Sequence, residues 1–133
     1  AAWAVTRQAH EDVPLGPHRL KKGQVVVINT YGIHHDRRYY PDPERFDPER
    51  FRPDNEAKIP KYAYIPFGGG PRVCIGNAFS LMESRLLLAT LAQRFRLSLV
   101  PDFAVVPERQ FTLRPKYGIQ MVVSAREDAR QAV

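Results

Sequence analysis

The chain has a single cysteine, Cys74, in 133 residues. An internal disulfide needs two thiols, so none can form. A tetrahedral zinc or an iron–sulfur cluster needs several soft ligands, so this thiol alone holds neither. Long apolar runs are also missing, and nothing approaches the roughly 18 residues that cross a bilayer. No signal-peptide pattern opens the chain, and no internal repeat is visible. Clustered basic charge is scarce despite a net charge of +6, because Lys21-Lys22 and Arg37-Arg38 are the only adjacent pairs and acids lie among them. No aromatic-interleaved basic stripe appears, so a solvated surface fits the charge better than a nucleic-acid site. With 44% hydrophobic and 26% charged residues, the composition is that of a soluble globular piece, at most one domain. The lone thiol is compatible with a reducing compartment, and the expected location is cytoplasmic. The chain starts on Ala and enters a strand-like run at Trp3 almost at once. The expectation is the last third of a longer protein, with any N-terminal membrane anchor left open.

What is present centres on Phe67–Gly76, which reads FGGGPRVCIG. Three glycines, Gly68, Gly69 and Gly70, precede Pro71 and Arg72. Cys74 then stands before Gly76 and a long apolar-periodic segment from Asn77 to Phe95. The thiol thus sits at the mouth of an expected helix, behind a loop nearly bare of side chains. Thiolates bind metals, and a helix N-terminus favours the thiolate. Glycines let backbone approach a bulky partner closely and permit positive φ. One thiolate can hold haem iron, because the porphyrin supplies four equatorial ligands. The alternative for a lone cysteine is a buried structural residue beside a glycine turn.

Phe67-x-x-Gly70-x-Arg72-x-Cys74-x-Gly76 resembles the haem-binding signature of the cytochrome P-450 family, filled at Phe, Gly, Arg, Cys and Gly. Five positions in register are far more specific than any one of them. The pattern is nearest to the soluble bacterial fatty-acid-hydroxylase-like members. The resemblance implies an α+β fold class, the C-terminal portion of the P-450 fold: short β-strands, a proline-rich meander, the cysteine ligand loop, one long helix and a closing β-hairpin. It extends from about Trp3 to Arg126, so residues 1–133 are expected to be the haem-binding portion of an incomplete domain.

Residue by residue, the resemblance implies Cys74 as the proximal iron ligand, Phe67 as a shield of the iron–sulfur bond, and Gly68 and Gly76 as close backbone. Arg72 and Arg7 would pair with haem propionates, a task that suits the planar, permanently charged guanidinium. Ser80 stands where the family's pattern has alanine, near the porphyrin in relatives. Ala2, Val5 and Phe111 match segments that line the substrate pocket, although the prolines usual before the tryptophan are not in this chain.

Trp3 to Ala9 and the β-branched run Val25–Ile28 read as strands, the second a buried one, with turns at Leu15-Gly16-Pro17 and Lys21-Lys22-Gly23. Tyr31 to Arg38 reads as a helical turn. His34 and His35 have no third ligand at a useful spacing and read as ordinary surface or packing histidines. Prolines at 41, 43, 48 and 53 forbid a regular element through the next stretch. Its Pro48-Glu49-Arg50-Phe51 matches the family's Pro-Glu-Arg-Phe box, which makes Arg50 the third member of a structural triad. The Glu-x-x-Arg helix that supplies the other two members does not precede it. Asn77 to Phe95 should form a helix buried on a broad face. Phe95–Val100, Phe111–Arg114 and Ile119–Ser124 read as strands, and the polar tail after Ala125 as a fraying end.

The implied activity is that of a haem-thiolate monooxygenase. One oxygen atom of O2 enters a C–H bond of a small apolar substrate, and the thiolate favours O–O cleavage. The cofactor would be haem b (iron protoporphyrin IX). Electrons would come from NAD(P)H through a ferredoxin, a flavodoxin or a flavin reductase domain. Relatives dock an acidic donor on the cysteine's face, a further use for the positive charge. No Gly-x-Asp-Thr-Thr-like or Gly-x-Glu-Thr-Thr-like run occurs, so the 133 residues alone are expected to be inactive. Two rivals stand beside this reading. One is a haem-binding or partner-binding fragment without catalysis. The other is a family member that rearranges peroxides, in which the signature loop is often altered.

Overall fold

Short β-rich segments at both ends, a proline-punctuated middle and one long apolar-periodic stretch dictate short strand pairs and one long helix. The computed structural model describes residues 2–110 and 112–126. It divides into two units, Ala1–Arg72 and Val73–Val133.

In the first unit, β1 (Val5–Gln8) and β4 (Val25–Ile28) pair antiparallel, with Val5 opposite Ile28 and Arg7 opposite Val26. Between them, β2 (Val13–Leu15) and β3 (His18–Leu20) form a hairpin across Gly16-Pro17. This hairpin adds two strands where the pattern marks only a turn, because three-residue strands carry almost no periodic signal. The Asp12 carboxylate ties its base: it accepts from the Lys22 amide at 3.0 Å and from Lys21 Nζ at 2.9 Å. These two bonds, the amide first, hold its pKa below the usual carboxylate value. β4 is not the buried strand that its valines suggest. Its residues alternate exposed and half-buried, and Val25 is 61% exposed.

Helix α1 (Thr30–His34) opens on Asn29, whose side chain accepts from the Gly32 amide at 2.9 Å, an N-cap. Its start is tied back to the first residues: Thr30 Oγ1 donates to the Ala2 carbonyl at 2.8 Å and the Tyr31 amide to the Trp3 carbonyl at 2.9 Å. The proline-rich segment that follows has no ladder. A 3-10 turn at Pro48–Phe51 is capped by Asp47, and a short helix α2 spans Pro53–Glu56. Arg50 supplies the missing order. Its guanidinium donates to the backbone carbonyls of Pro41, Asp42 and Arg45. Thr30, Tyr40 and Ala63 are the buried residues among those described, and all three lie in this unit.

In the second unit, α3 (Asn77–Arg94) runs straight into β5 (Phe95–Leu99) at Phe95, where the backbone turns extended. β5 pairs antiparallel with β8 (Met121–Ala125), Phe95 opposite Ala125. β6 (Pro107–Arg109) and β7 (Leu113–Pro115) close a separate hairpin. The last two expected strands are therefore present, but each pairs with an earlier strand and not with the other. α3 differs from expectation more sharply. None of its residues is buried, and Leu88 and Phe79 stand 68% and 62% exposed. A helix that is apolar around most of its girth belongs in the core of a larger body.

Candidate functional site

The FGGGPRVCIG stretch crosses the boundary between the two units, and each half takes its geometry from its own unit. In the first, the approach to the loop is held at two points. Tyr40, buried, donates its hydroxyl to the Ala63 carbonyl at 2.9 Å. The Ile65 amide donates to His34 Nε2 at 2.9 Å. The Ile65 carbonyl then accepts from the Gly68 amide at 3.0 Å, which closes a turn around Pro66-Phe67. Phe67 and Gly68 are half-buried there. Gly68 and Gly70 lie at φ +78° and +69°, the left-handed region where a Cβ is strained. Gly69 has a different constraint, since a Cβ on it would meet the Tyr62 ring at 3.2 Å. Arg72 ends a short 3-10 turn, exposed. Arg7 is also exposed on β1, and its guanidinium donates to the Thr6 carbonyl at 2.7 Å. Among the described residues, neither arginine is in an ion pair.

In the second unit, Cys74 is a free, exposed thiol. Its carbonyl accepts from the Asn77 amide at 3.2 Å, and the Gly76 carbonyl accepts from the Ser80 amide at 2.9 Å. The thiol therefore leads directly into the first turn of α3, whose N-cap is Gly76. A Cβ at Gly76 would stand 3.8 Å from the sulfur, so its absence keeps one side of Sγ open. Ser80 is half-buried on the next turn. Asn77 Oδ1 is buried with no hydrogen-bond partner among the described residues. Among the described residues, no group of three or more His, Cys, Asp or Glu side chains is placed to hold a metal ion. The donor set is thus one accessible thiol, which suits a metal that brings its own equatorial ligands.

Ala2 is exposed and Val5 half-buried on the first strand's approach, while Phe111 lies outside the described residues. His34 and Tyr40 are what the sequence pattern missed. His34 packs between aromatic rings, 5.6 Å from Tyr64 and 6.5 Å edge-on to Tyr40. Its lone-pair contact with Ile65 bridges 31 positions, a separation at which no spacing rule operates. His35 stacks on Tyr31 at 4.0 Å.

The family model of cytochrome P450 matches residues 1–123. The chain belongs to the cytochrome P450 family. A putative cytochrome P450 132 of Mycobacterium bovis is 44% identical over 122 residues, 92% of this chain and 26% of that protein. Rat (Rattus norvegicus) cytochrome P450 3A2 is 39% identical over 123 residues, 91% of this chain and 24% of that protein. The solved structure of a retinoic acid-bound cyanobacterial CYP120A1 superposes with a TM-score of 0.86 at 33% identity, over 94% of this chain and 29% of its own. The chain therefore spans about a quarter of the length of the curated relatives it matches. Membership of the P450 family implies haem as the cofactor, and the single accessible thiol fits it. Among the described residues, no helix is long and apolar enough to cross a membrane.

Proposed function

We propose that this P450 chain is the ligand-bearing portion of a haem-thiolate monooxygenase acting on a small apolar substrate with O2. The observation that carries the reading is Cys74 itself. It is the chain's one thiol, accessible, two residues before the N-cap of an 18-residue helix and inside a fully filled signature. When bound there, haem iron supplies the oxygen activation, and thiolate ligation favours O–O cleavage.

The chain's own residues bind, orient and shield. Cys74 Sγ would hold the haem iron, and Gly76 keeps bulk away from the sulfur. The left-handed Gly68 and Gly70 shape the preceding loop, and Phe67 limits water near the sulfur, which tunes a ligated metal. Arg7 and Arg72, which pair with no acid among the described residues, would neutralise carboxylates such as the haem propionates. Ser80 offers a hydroxyl on the helix turn that follows the ligand. Arg50 fixes the proline-rich segment through its three carbonyls. Ala2 and Val5 would contribute to the substrate pocket. The net charge of +6 suits an acidic redox partner, ferredoxin, flavodoxin or flavin reductase domain, that relays electrons from NAD(P)H.

The exposed α3 supports the reading that these residues supply the ligand side and do not catalyse alone. The test is the carbon monoxide difference spectrum of the reduced full-length protein, wild type against Cys74→Ala. The thiolate-type band is expected in the wild type and lost in the variant. A band that survives the substitution overturns the assignment. Turnover that needs NAD(P)H and a reductase separates the monooxygenase from a peroxide-rearranging member, which runs on peroxide alone.

A further inference from the structure

We propose that His34 and Tyr40 form a two-point clamp on Ala63–Ile65 that positions the start of the ligand loop, and that the His34 half closes only on the neutral imidazole. The inference rests on the reading of Phe67–Gly76 as the haem-ligand loop.

The chemistry is unambiguous at His34. Its partner is a backbone N–H, which can only donate. His34 Nε2, 2.9 Å away, must therefore accept, and an imidazolium has no lone pair to do so. Protonation replaces an N–H···N bond by two N–H groups facing each other. The position of the bond gives it reach. Ile65 is held by its N–H on one side, and its C=O closes the turn to the Gly68 amide at 3.0 Å on the other. Two residues earlier, Tyr40 holds the Ala63 carbonyl in one of the few buried spots of the unit. One anchor comes from α1 and the other from six residues beyond it, so both set the approach to Phe67 and Gly68 from one short stretch of chain.

The surroundings keep His34 neutral. Burial pushes its pKa below the ordinary histidine value, and the neighbouring His35 charge adds to this. The rings of Tyr40 and Tyr64 pack against it. The charged groups around the open cavity that it lines are Glu44, Arg45, Asp47 and Arg50, two of each sign. Because the folded pKa is depressed, the clamp's contribution is fully present above the unfolded histidine value. It is lost as pH falls through that value and then through the folded one.

The test is amide-resolved hydrogen–deuterium exchange at Ile65 in the full-length haem-loaded protein, corrected for the intrinsic pH dependence of exchange. Wild-type protection should fall about ten-fold as the pH is lowered through the histidine range, the factor that one ordinary hydrogen bond accounts for. His34→Gln, a neutral acceptor at every pH, should stay protected with no step. His34→Phe should be unprotected throughout. A wild type without the step overturns the clamp, as does a His34→Gln variant that keeps it. Should His34→Phe fail to fold, the wild-type profile and the Gln variant still decide. The carbon monoxide spectrum is recorded on the same samples. A thiolate-type band without the Ile65 step refutes the clamp alone, and the step without that band refutes the haem reading alone.

Discussion

Substitution of the glycines at 68 and 69 separates two reasons for a glycine that the sequence prints identically. Gly68 lies at φ +78° with nothing within 4 Å of a built Cβ. Gly68→Ala therefore has no steric clash, and its whole cost is the left-handed backbone of an L-residue, about 1–2 kcal/mol. Gly68→Asn should recover part of that, because asparagine visits the region more readily. Gly69 has no positive φ, but its Cβ would stand 3.2 Å from Cδ1 and Cε1 of Tyr62. Tyr62 is 59% exposed, so its ring can yield by a few tenths of an ångström. The cost of Gly69→Ala should be at most about 1 kcal/mol, toward the low end for overpacking. The two predictions part in a Tyr62→Ala background. There the Gly69→Ala penalty disappears, a coupling of about 0.5–1 kcal/mol between touching residues, while the Gly68→Ala penalty is unchanged. Urea unfolding followed by far-UV circular dichroism reads the wild type and all six variants on one scale. If Gly68→Ala is neutral, or if its penalty also vanishes without Tyr62, the backbone account of the loop is wrong.

Gly32 carries a third kind of constraint. A Cβ there would fall 2.6 Å from Asn29 Nδ2, so Gly32→Ala displaces the N-cap of α1 and should cost about 1 kcal/mol in the same unfolding assay. Asn29→Ala should cost a similar amount, and the double substitution little more than either. Arg50→Lys keeps the charge but loses the planar fork that spans three carbonyls. It should leave the proline-rich segment more open to limited proteolysis between Pro41 and Phe46, and unaltered cleavage there would show that the guanidinium does not organise that segment.

The sequence is most legible where one residue type has one use. The signature, the limits of α3 and the strand from Phe95 all follow from glycine, proline and apolar spacing. The expected Asn77–Phe95 helix is observed as Asn77–Arg94. Arg50 illustrates partial legibility: its box marks a structural arginine, but its described partners are backbone carbonyls, which no side-chain pattern encodes. The clamp at His34 and Tyr40 was invisible because its contacts bridge 31 and 23 positions and use backbone atoms at the far end. Burial was overstated at Val25–Ile28 and α3 for a different reason. Apolar character reports the need for cover, and neither element finds that cover within its own unit.

That mismatch bears on how the ligand is held. α3 follows Cys74 by three residues and continues without a loop into β5. Its own unit buries none of its residues. Helix hydrogen bonds and a five-residue strand pair orient such a helix only weakly, because most helix stability in proteins comes from packing an apolar face. On the proposed reading, the position of the sulfur is therefore fixed from two sides. The loop's first half is anchored locally, through Tyr40, His34 and the left-handed glycines. Its second half depends on whatever covers Phe79, Leu86, Leu87 and Leu88. A substitution that uncovers α3, such as Leu87→Asp, should then loosen the thiolate bond while leaving Ile65 protected from exchange. A His34 substitution should do the reverse first at Ile65. If both kinds of change loosen both halves equally, the loop moves as one body and the separation argued from the structure fails.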